Sequence, residues 1–278
     1  MSPDIELIAD GLEFPEGPAF DADGTLYVVQ LRNGWIARIT DGGWEKYVDT
    51  GSRNNGSAFD ESNALWIAAA GTNQLLRYDG QELVEIAGEC DGSPLQSPND
   101  LVFHPDGSIF MTGPGGSSAD TPIGVIYHVT RDGEIRVVAD GLAFPNGLAL
   151  NEDASLLYLV EERRYQILAF DVRDDGTLGK PQLFAHMSGG AGGDGMALDA
   201  EGNLYIAACG AGEIVVLDAG GTRIDAFPTI GQKPTNLAFG GDDMRDLYIT
   251  EVETGAVYHM RPGPEGRMPF CDPRAASG

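Results

Sequence analysis

Six side chains that carry an oxygen atom recur at equivalent positions, each just ahead of a short run of small or apolar residues. Two are carboxylates, three are amides and one is a hydroxyl: Glu16, Asn55, Asn99, Asn146, Asp194 and Thr235. Oxygen donors without histidine or cysteine suit a hard divalent cation, Ca²⁺ first, Mg²⁺ or Mn²⁺ next and Zn²⁺ least. Two carboxylates would balance the charge of such an ion and leave positions open for water and substrate, as catalytic metal sites do.

These six side chains can meet only if the chain repeats itself around an axis. Each one precedes a predicted β-hairpin. The second strand of every hairpin carries an apolar and aromatic motif, and the motifs of successive units are 39 to 48 residues apart. The motifs are centred on Tyr27, Trp66, Phe110, Tyr158, Tyr205 and Tyr248. A third strand and a shorter fourth strand follow in most units. Six such units predict an all-β fold, a six-bladed β-propeller, because a closed ring buries blade faces that a lone blade exposes.

The last unit lacks a fourth strand after Met260, whereas the segment from Ile5 to Ile8 resembles a fourth strand without a blade. We therefore expect the N-terminal strand to close the ring and residues 1–278 to form a single propeller domain. The stretch from Leu148 to Asp175 is also compatible with a helix, since its glutamates and arginines favour one. The repeat continues through this stretch and favours strands.

In a propeller the first strand of every blade lines the central channel, so the six side chains should meet at one end of the axis. The loops after the second strands return to the same end. This makes Arg32, Arg163 and Glu251 candidates for contact with substrate or for support of the site, together with Asn55 and Thr235. An ordinary alternative exists, because Asn-Gly and Asp-Gly are common turn dipeptides and propeller channels are often only wet and polar. Six positions in register favour the metal site.

Composition narrows the classes of function. The formal net charge is −26, with 17 basic and 43 acidic residues, so nucleic acid would be repelled. No apolar run is long enough to span a membrane, and the three cysteines form no disulfide or zinc pattern. We expect a soluble, cytoplasmic protein with a small-molecule partner and no membrane association; the oligomeric state stays open. Serine-hydrolase, nucleotide and dinucleotide motifs are lacking.

Four motifs in order resemble the senescence marker protein, gluconolactonase and luciferin-regenerating enzyme family. They are Phe14–Pro18, Ser97–Asp100, Phe144–Gly147 and Gly193–Met196. The resemblance implies a six-bladed propeller with one catalytic divalent metal, usually calcium, and hydrolysis of lactones by many members. It also implies that Glu16, Asn146 and Asp194 hold the metal and that Asn99 binds it directly or through water and substrate. Asp194 would double as base or nucleophile, with Asp100 beside the site.

Other functions fit parts of the sequence. The segments Gly193–Met196, Pro234–Leu237 and Met111–Pro114 are similar to those of diisopropyl fluorophosphatase, which makes phosphotriester cleavage an alternative. A binding propeller with a purely structural ion is another. A metal-independent propeller lyase or condensing enzyme is disfavoured by Glu16, Asn146 and Asp194. Ser97 departs from the arginine that sugar lactonases of the animal type carry at this position.

Overall fold

The computed structural model describes residues 3–187 and 192–277. It contains six antiparallel four-stranded sheets arranged as the blades of a β-propeller, which confirms the predicted fold. Blade 1 comprises β2 (Pro15–Phe20), β3 (Leu26–Gln30), β4 (Trp35–Thr40) and β5 (Gly43–Asp49). Blade 2 comprises β6 (Ser57–Phe59), β7 (Leu65–Ala69), β8 (Gln74–Tyr78) and β9 (Leu83–Ala87). A short hairpin, β10 (Glu89–Cys90) and β11 (Ser93–Pro94), leads to the next blade.

The second half of the ring repeats this plan. Blade 3 comprises β12 (Leu101–Phe103), β13 (Ile109–Gly113), β14 (Gly124–Val129) and β15 (Ile135–Leu142). Blade 4 comprises β16 (Pro145–Leu150), β17 (Leu156–Glu161), β18 (Gln166–Asp171) and β19 (Gln182–His186). Blade 5 comprises β20 (Gly193–Leu198), β21 (Leu204–Ala208), β22 (Glu213–Leu217) and β23 (Arg223–Pro228). Blade 6 comprises β24 (Pro234–Gly240), β25 (Asp246–Glu251), β26 (Ala256–Met260) and β1 (Glu6–Ala9).

The hydrophobic cores lie between blades rather than within them. Strand β3 shows why: Tyr27 and Val29 pack against blade 2, whereas Val28, on the opposite face, packs against blade 6. Successive side chains of a strand point to opposite faces, so every inner strand feeds two cores. Each of the other clusters likewise joins two consecutive blades. No blade has a complete core of its own, and the ring must close for any of them to be fully buried.

The ring closes as the sequence predicts. Strand β1 pairs with β26 in antiparallel register, with Glu6 opposite His259 and Leu7 opposite Tyr258. A register shift between Leu7 and Ala9 turns the chain inward, and Ala9 joins the core between blades 6 and 1. The N-terminal strand therefore supplies the outer strand of the last blade.

The stretch from Leu148 to Asp175 forms strands, as the continuing repeat favours. Of its helix-favouring residues, Glu161 ends strand β17 and Glu162–Arg164 form one 3₁₀ turn between β17 and β18. Among residues 3–187 and 192–277, no helix has the length and apolar composition needed to cross a membrane.

The chain after β26 covers one end of the central channel, a feature that sequence reasoning did not anticipate. The backbone N–H of Arg267 donates to the carbonyl of Leu198 at 2.9 Å, and its guanidinium donates to the carbonyl of Leu150 at 2.5 Å. Farther along, the guanidinium of Arg274 lies 4.6 Å from the ring centroid of Phe20. This C-terminal segment therefore touches blades 1, 4 and 5 beneath the channel.

We predict that removing residues 1–9 lowers the melting temperature by roughly 10 °C, because lost strand pairing and burial of Ile8 and Ala9 amount to about 3–5 kcal/mol. Removing residues 1–4, which lie ahead of β1, is the matched control and should change it little. Thermal melting followed by circular dichroism measures both. Equal stability of the two truncated proteins would contradict a closing role for β1.

Candidate functional site

Irregularities in the inner strands place the predicted oxygen donors at one end of the channel. The β2–β3 register shifts between Glu16 and Ala19, and equivalent shifts follow Pro145 in β16, Gly193 in β20 and Pro234 in β24. A β-bulge re-aims the side chains beside it. In blades 2 and 3 the strands β6 and β12 begin later, so Asn55 and Asn99 lie just before them. We call this end of the channel the mouth.

Close packing of the inner strands brings neighbouring donors together. A Cβ atom on Gly17 would lie 2.6 Å from the carbonyl oxygen of Asn55, and one on Gly147 would lie 2.3 Å from that of Asp194. No side chain fits at such distances, so the residue after Glu16 and the residue after Asn146 must be glycine. Blade 1 is thereby held against blade 2, and blade 4 against blade 5, directly beside the donor residues.

Buried acceptors fix the chain where it enters three of these strands. In blades 1, 4 and 6, a side-chain oxygen at the end of the second strand accepts a hydrogen bond from a backbone N–H. This N–H belongs to a residue two or three positions before the predicted oxygen ligand of that blade. The pairs are Glu13 N with Gln30 Oε1 (3.0 Å), Ala143 N with Glu161 Oε1 (2.8 Å) and Lys233 N with Glu251 Oε1 (2.7 Å). The structure thus places Glu251, a predicted site residue, in a backbone-fixing position.

Thr235 and Glu251 use their polar atoms on other parts of the fold. The hydroxyl of Thr235 donates to the carbonyl of Pro15 at 2.8 Å, which ties blade 6 to blade 1 beside Glu16. The second carboxylate oxygen of Glu251 accepts bonds from the backbone and hydroxyl of Thr254 at 2.6 and 2.7 Å. Both residues therefore support the mouth rather than offer a free oxygen to it.

Glu16 is buried among other acids with little to stabilise its charge. Burial raises its pKa well above the usual range, and the charges of Asp194, Asp100 and Glu162 raise it further; only a hydrogen bond from the backbone of Gly17 lowers it. Among the described residues no cationic side chain lies within 4 Å of Glu16. Ionisation of a buried carboxylate that has no positive group near it is unfavourable, and a bound cation would stabilise the ionised form.

Asp194 and Asp100 share this surrounding. Burial raises the pKa of Asp194 well above its usual range, as do Glu162 and Asp100, whereas a hydrogen bond from Asn146 and the charge of Arg163 lower it. Burial raises the pKa of Asp100 to about 7, against hydrogen bonds from the backbone of Leu101 and Leu148. Carboxylates from blades 1, 3, 4 and 5 therefore face one enclosed space.

Glu162 is a site residue that lies in a loop predicted to return to the mouth but that the sequence does not single out. Its Oε2 accepts a hydrogen bond from Asn146 Nδ2 at 3.0 Å, and its Oε1 pairs with Arg163 Nη1 at 2.9 Å. Burial raises its pKa, which Arg163 and Asn146 lower. The available signal was its position, because it follows a second strand and so belongs to a loop that returns to the mouth.

Cys209 is a second residue of this kind. It follows β21, as Glu162 follows β17. Burial raises the pKa of its thiol to about 12, and the charges of Asp194, Glu16 and Glu162 raise it too. This thiol therefore belongs to the wall of the mouth.

Arg32 and Arg163 occupy matching places on opposite blades. The guanidinium carbon of Arg32 lies 5.3 Å from the ring centroid of Phe14, and that of Arg163 lies 5.0 Å from the ring centroid of Phe144. Both phenylalanines have left-handed backbones, with φ of 63° and 60°. Each stands two residues before a candidate ligand, so strained backbone lies next to the site, as it often does at functional positions.

The residues present fit a hard cation. Glu16, Asp194, Asn99 and Asn146 offer only oxygen, and a divalent ion would neutralise the two carboxylates. Within residues 3–187 and 192–277, no three side chains of histidine, cysteine, aspartate or glutamate are arranged to hold a metal by themselves. A cation at the mouth would thus depend on the amide oxygens of the asparagines as well as on the carboxylates.

Comparison with known proteins identifies the family of this chain. Residues 14–253 match the family described as the SMP-30/Gluconolactonase/LRE-like region. The chain belongs to this family. It is 26% identical to the diisopropyl-fluorophosphatase of Loligo vulgaris, over 98% of this chain and 96% of that protein. It is 25% identical to the gluconolactonase of Zymomonas mobilis, over 76% of this chain and 68% of that protein.

A solved structure is also similar along most of the chain. The gluconolactonase of Xanthomonas campestris superimposes with a TM-score of 0.82 at 27% identity, covering 94% of this chain and 90% of that one. The family and the fold are therefore shared from the first blade to the last.

We predict that the metal-free protein loses stability as the pH rises from 5 to 8. Glu16, Asp194 and Asp100 have folded-state pKa values above their ordinary ones, to about 7 for Asp100. Their contribution is therefore complete below an ordinary carboxyl pKa and is lost as the pH rises through the folded-state values. Thermal melts in chelator across this range should show a falling melting temperature, and excess calcium should flatten the curve.

Asp100→Asn should reduce this pH dependence, because asparagine cannot ionise. Asp225→Asn, on the exposed outer strand of blade 5, makes the same change away from the channel and should leave the curve as it is. A melting temperature in chelator that stays level or rises between pH 5 and 8 would contradict the prediction.

Proposed function

We propose that this protein is a divalent-metal-dependent hydrolase that opens a lactone at the mouth of the channel, with calcium as the first candidate metal. The observation that carries the proposal is Glu16, a buried carboxylate near Asp100, Asp194 and Glu162 that has no cationic side chain within 4 Å in residues 3–187 and 192–277. Family membership and the gluconolactonases among its relatives support lactone hydrolysis.

Glu16, Asn146 and Asp194 would hold the ion, and Asn99 would contact it directly or through water and substrate. A bound divalent ion would supply Lewis-acid polarisation of the substrate carbonyl and stabilise negative charge on its oxygen. Asn146 donates hydrogen bonds to Glu162 and Asp194 through its amide nitrogen, so its side-chain oxygen is the atom that it would offer to a cation.

Asp194 is the residue we assign to proton transfer or to attack on the carbonyl carbon. It is less buried than Glu16 and so reaches the open part of the mouth. Burial and its acidic neighbours raise the pKa of Asp194 in the protein without a cation. A bound cation would lower the basicity of this carboxylate, so proton transfer to it would require its ligation to loosen during turnover. Water would add to the carbonyl, the ring ester bond would break, the ring oxygen would take up a proton, and a hydroxy acid would leave.

Phosphotriester hydrolysis is a second candidate for the same site. The alignment with the diisopropyl-fluorophosphatase spans almost the whole of both proteins, which supports this activity as well. The two activities need the same donors and differ in the shape of the substrate. We also expect a cytoplasmic location, in keeping with the three unpaired cysteines.

We predict that Glu16→Gln, Asn146→Ala and Asp194→Asn each lower kcat by a factor of a hundred or more, about 3 kcal/mol of lost transition-state stabilisation. Each should also weaken calcium uptake, because each removes a donor oxygen or its charge. Proton release from aldonolactones, aromatic lactones and a fluorophosphate, with and without chelation, measures turnover; calorimetry measures metal binding.

Asp225→Asn is again the matched control and should keep both turnover and calcium affinity. Full activity of metal-stripped Asp194→Asn protein would contradict the proposal. Tight calcium binding that raises the melting temperature, with no turnover of any substrate in the panel, would favour a binding propeller with a structural ion.

A further inference from the structure

Three cationic side chains lie around one part of the mouth, on consecutive blades. Lys233 stands two residues before Thr235 in blade 6, and Arg53 stands two residues before Asn55 in blade 2. Between them, in blade 1, Arg32 follows the end of β3 and lies over the ring of Phe14. We call Arg32, Arg53 and Lys233 the basic arc.

The basic arc differs from the other basic residues in having no partner. Within the described residues, every other arginine and lysine except Lys180 pairs with a carboxylate or donates a side-chain hydrogen bond. A single solvated cation needs no partner, and Lys180, on the outer loop of blade 4, is such a case. Three unpaired cations at one edge of the mouth, in a chain of net charge −26, are a different matter.

The carboxylates closest to the arc along the chain are mostly engaged elsewhere. Glu251 accepts bonds from Lys233 N and from Thr254, and Glu253 accepts one from Gln232 N at 2.8 Å. Glu13 is exposed, yet it lies beyond 4 Å of every basic group among the described residues. The positive charge of the arc is therefore not cancelled by close ion pairs.

The arc also borders the site. Arg53 and Lys233 lie on the segments that enter β6 and β24, and Arg32 lies on the loop that leaves β3, so all three are at the mouth end of their strands. Burial and the nearby acids raise the pKa of the Cys209 thiol, and the charge of Lys233 lowers it. Arg163, on the opposite blade, is already paired with Glu162. The cations without an ion-pair partner thus lie on blades 6, 1 and 2, whereas the cation on blade 4 is paired with a carboxylate.

We propose that the basic arc binds a carboxylate of the substrate, so that this hydrolase acts on acidic lactones. This inference rests on the proposed function. The channel interior is acidic and would repel an anion, so a carboxylate can be accommodated only at the rim, away from Glu16 and Asp194. Arginine offers a carboxylate two parallel donors in a planar fork, and lysine adds a mobile point charge. The lactone ring would then lie over the channel with its acidic end outward.

The test compares two lactones that differ at one end only. D-glucaro-γ-lactone carries a carboxylate where D-glucono-γ-lactone carries a hydroxymethyl group. We expect kcat/KM to be about tenfold higher for the acidic lactone, and the combined variant Arg32→Gln, Arg53→Gln, Lys233→Gln to remove that preference, mainly through KM. Lys180→Gln, the matched control, should keep it. Raising the salt concentration should also reduce the preference, because the arc is exposed.

Equal kcat/KM for the two lactones in the wild-type protein, or a preference that survives in the combined variant, would overturn the inference and leave the proposed function standing. If neither lactone is hydrolysed with any metal, the proposed function fails instead. In that event, calorimetric titration with glucarate in calcium buffer tests, independently of turnover, whether the arc binds a carboxylate. If the wild-type protein binds glucarate and the combined variant does not, carboxylate binding by the arc is supported. If the wild-type protein does not bind glucarate, it is overturned.

Discussion

The crowding of six inner strands around one axis is the constraint on which the rest of this structure depends. At Gly17 and Gly147 the neighbouring backbone comes so close that no Cβ atom fits. The cores lie between blades, so the blades must approach this closely to bury their apolar faces. With the backbone so fixed, the preceding residues, Glu16 and Asn146, have their side chains held at the channel. Fold stability and site geometry thus have one cause.

Two buried glutamates differ in how far the fold itself satisfies their charge. Glu251 accepts hydrogen bonds from two backbone N–H groups and a hydroxyl, so its charge is satisfied by the protein itself. Glu16 accepts a hydrogen bond from the backbone of Gly17 and is close to the acids Asp194, Asp100 and Glu162. Both side chains are buried to a similar degree. The difference lies in the hydrogen-bond donors around each carboxylate, and it makes Glu16 the acid on which the proposed cation site depends.

The repeat made the fold predictable from the sequence, because each blade buries equivalent residues and the apolar and aromatic positions therefore recur at similar intervals along the chain. The same register identified Glu16, Asn99, Asn146 and Asp194 as candidate ligands. It failed to separate Thr235 from them, because a hydroxyl that ties two blades and one that faces a channel look alike in sequence. It placed Glu162 in a mouth loop without singling it out, because its position beside Asn146 depends on a 3₁₀ turn that interrupts the strand pattern.

The C-terminal segment escaped prediction for a related reason, since it has neither periodicity nor a repeat partner. Its place beneath the channel nonetheless bears on the chemistry. A cavity of about 150 Å³ separates the acids from Met268 and Phe270 of this segment, and its walls are mainly apolar. The low-dielectric walls below the acids concentrate the field of these carboxylates towards the mouth. The channel interior therefore repels an anionic group, and the exposed cations of blades 6, 1 and 2 are the charges beside which such a group of a substrate can lie.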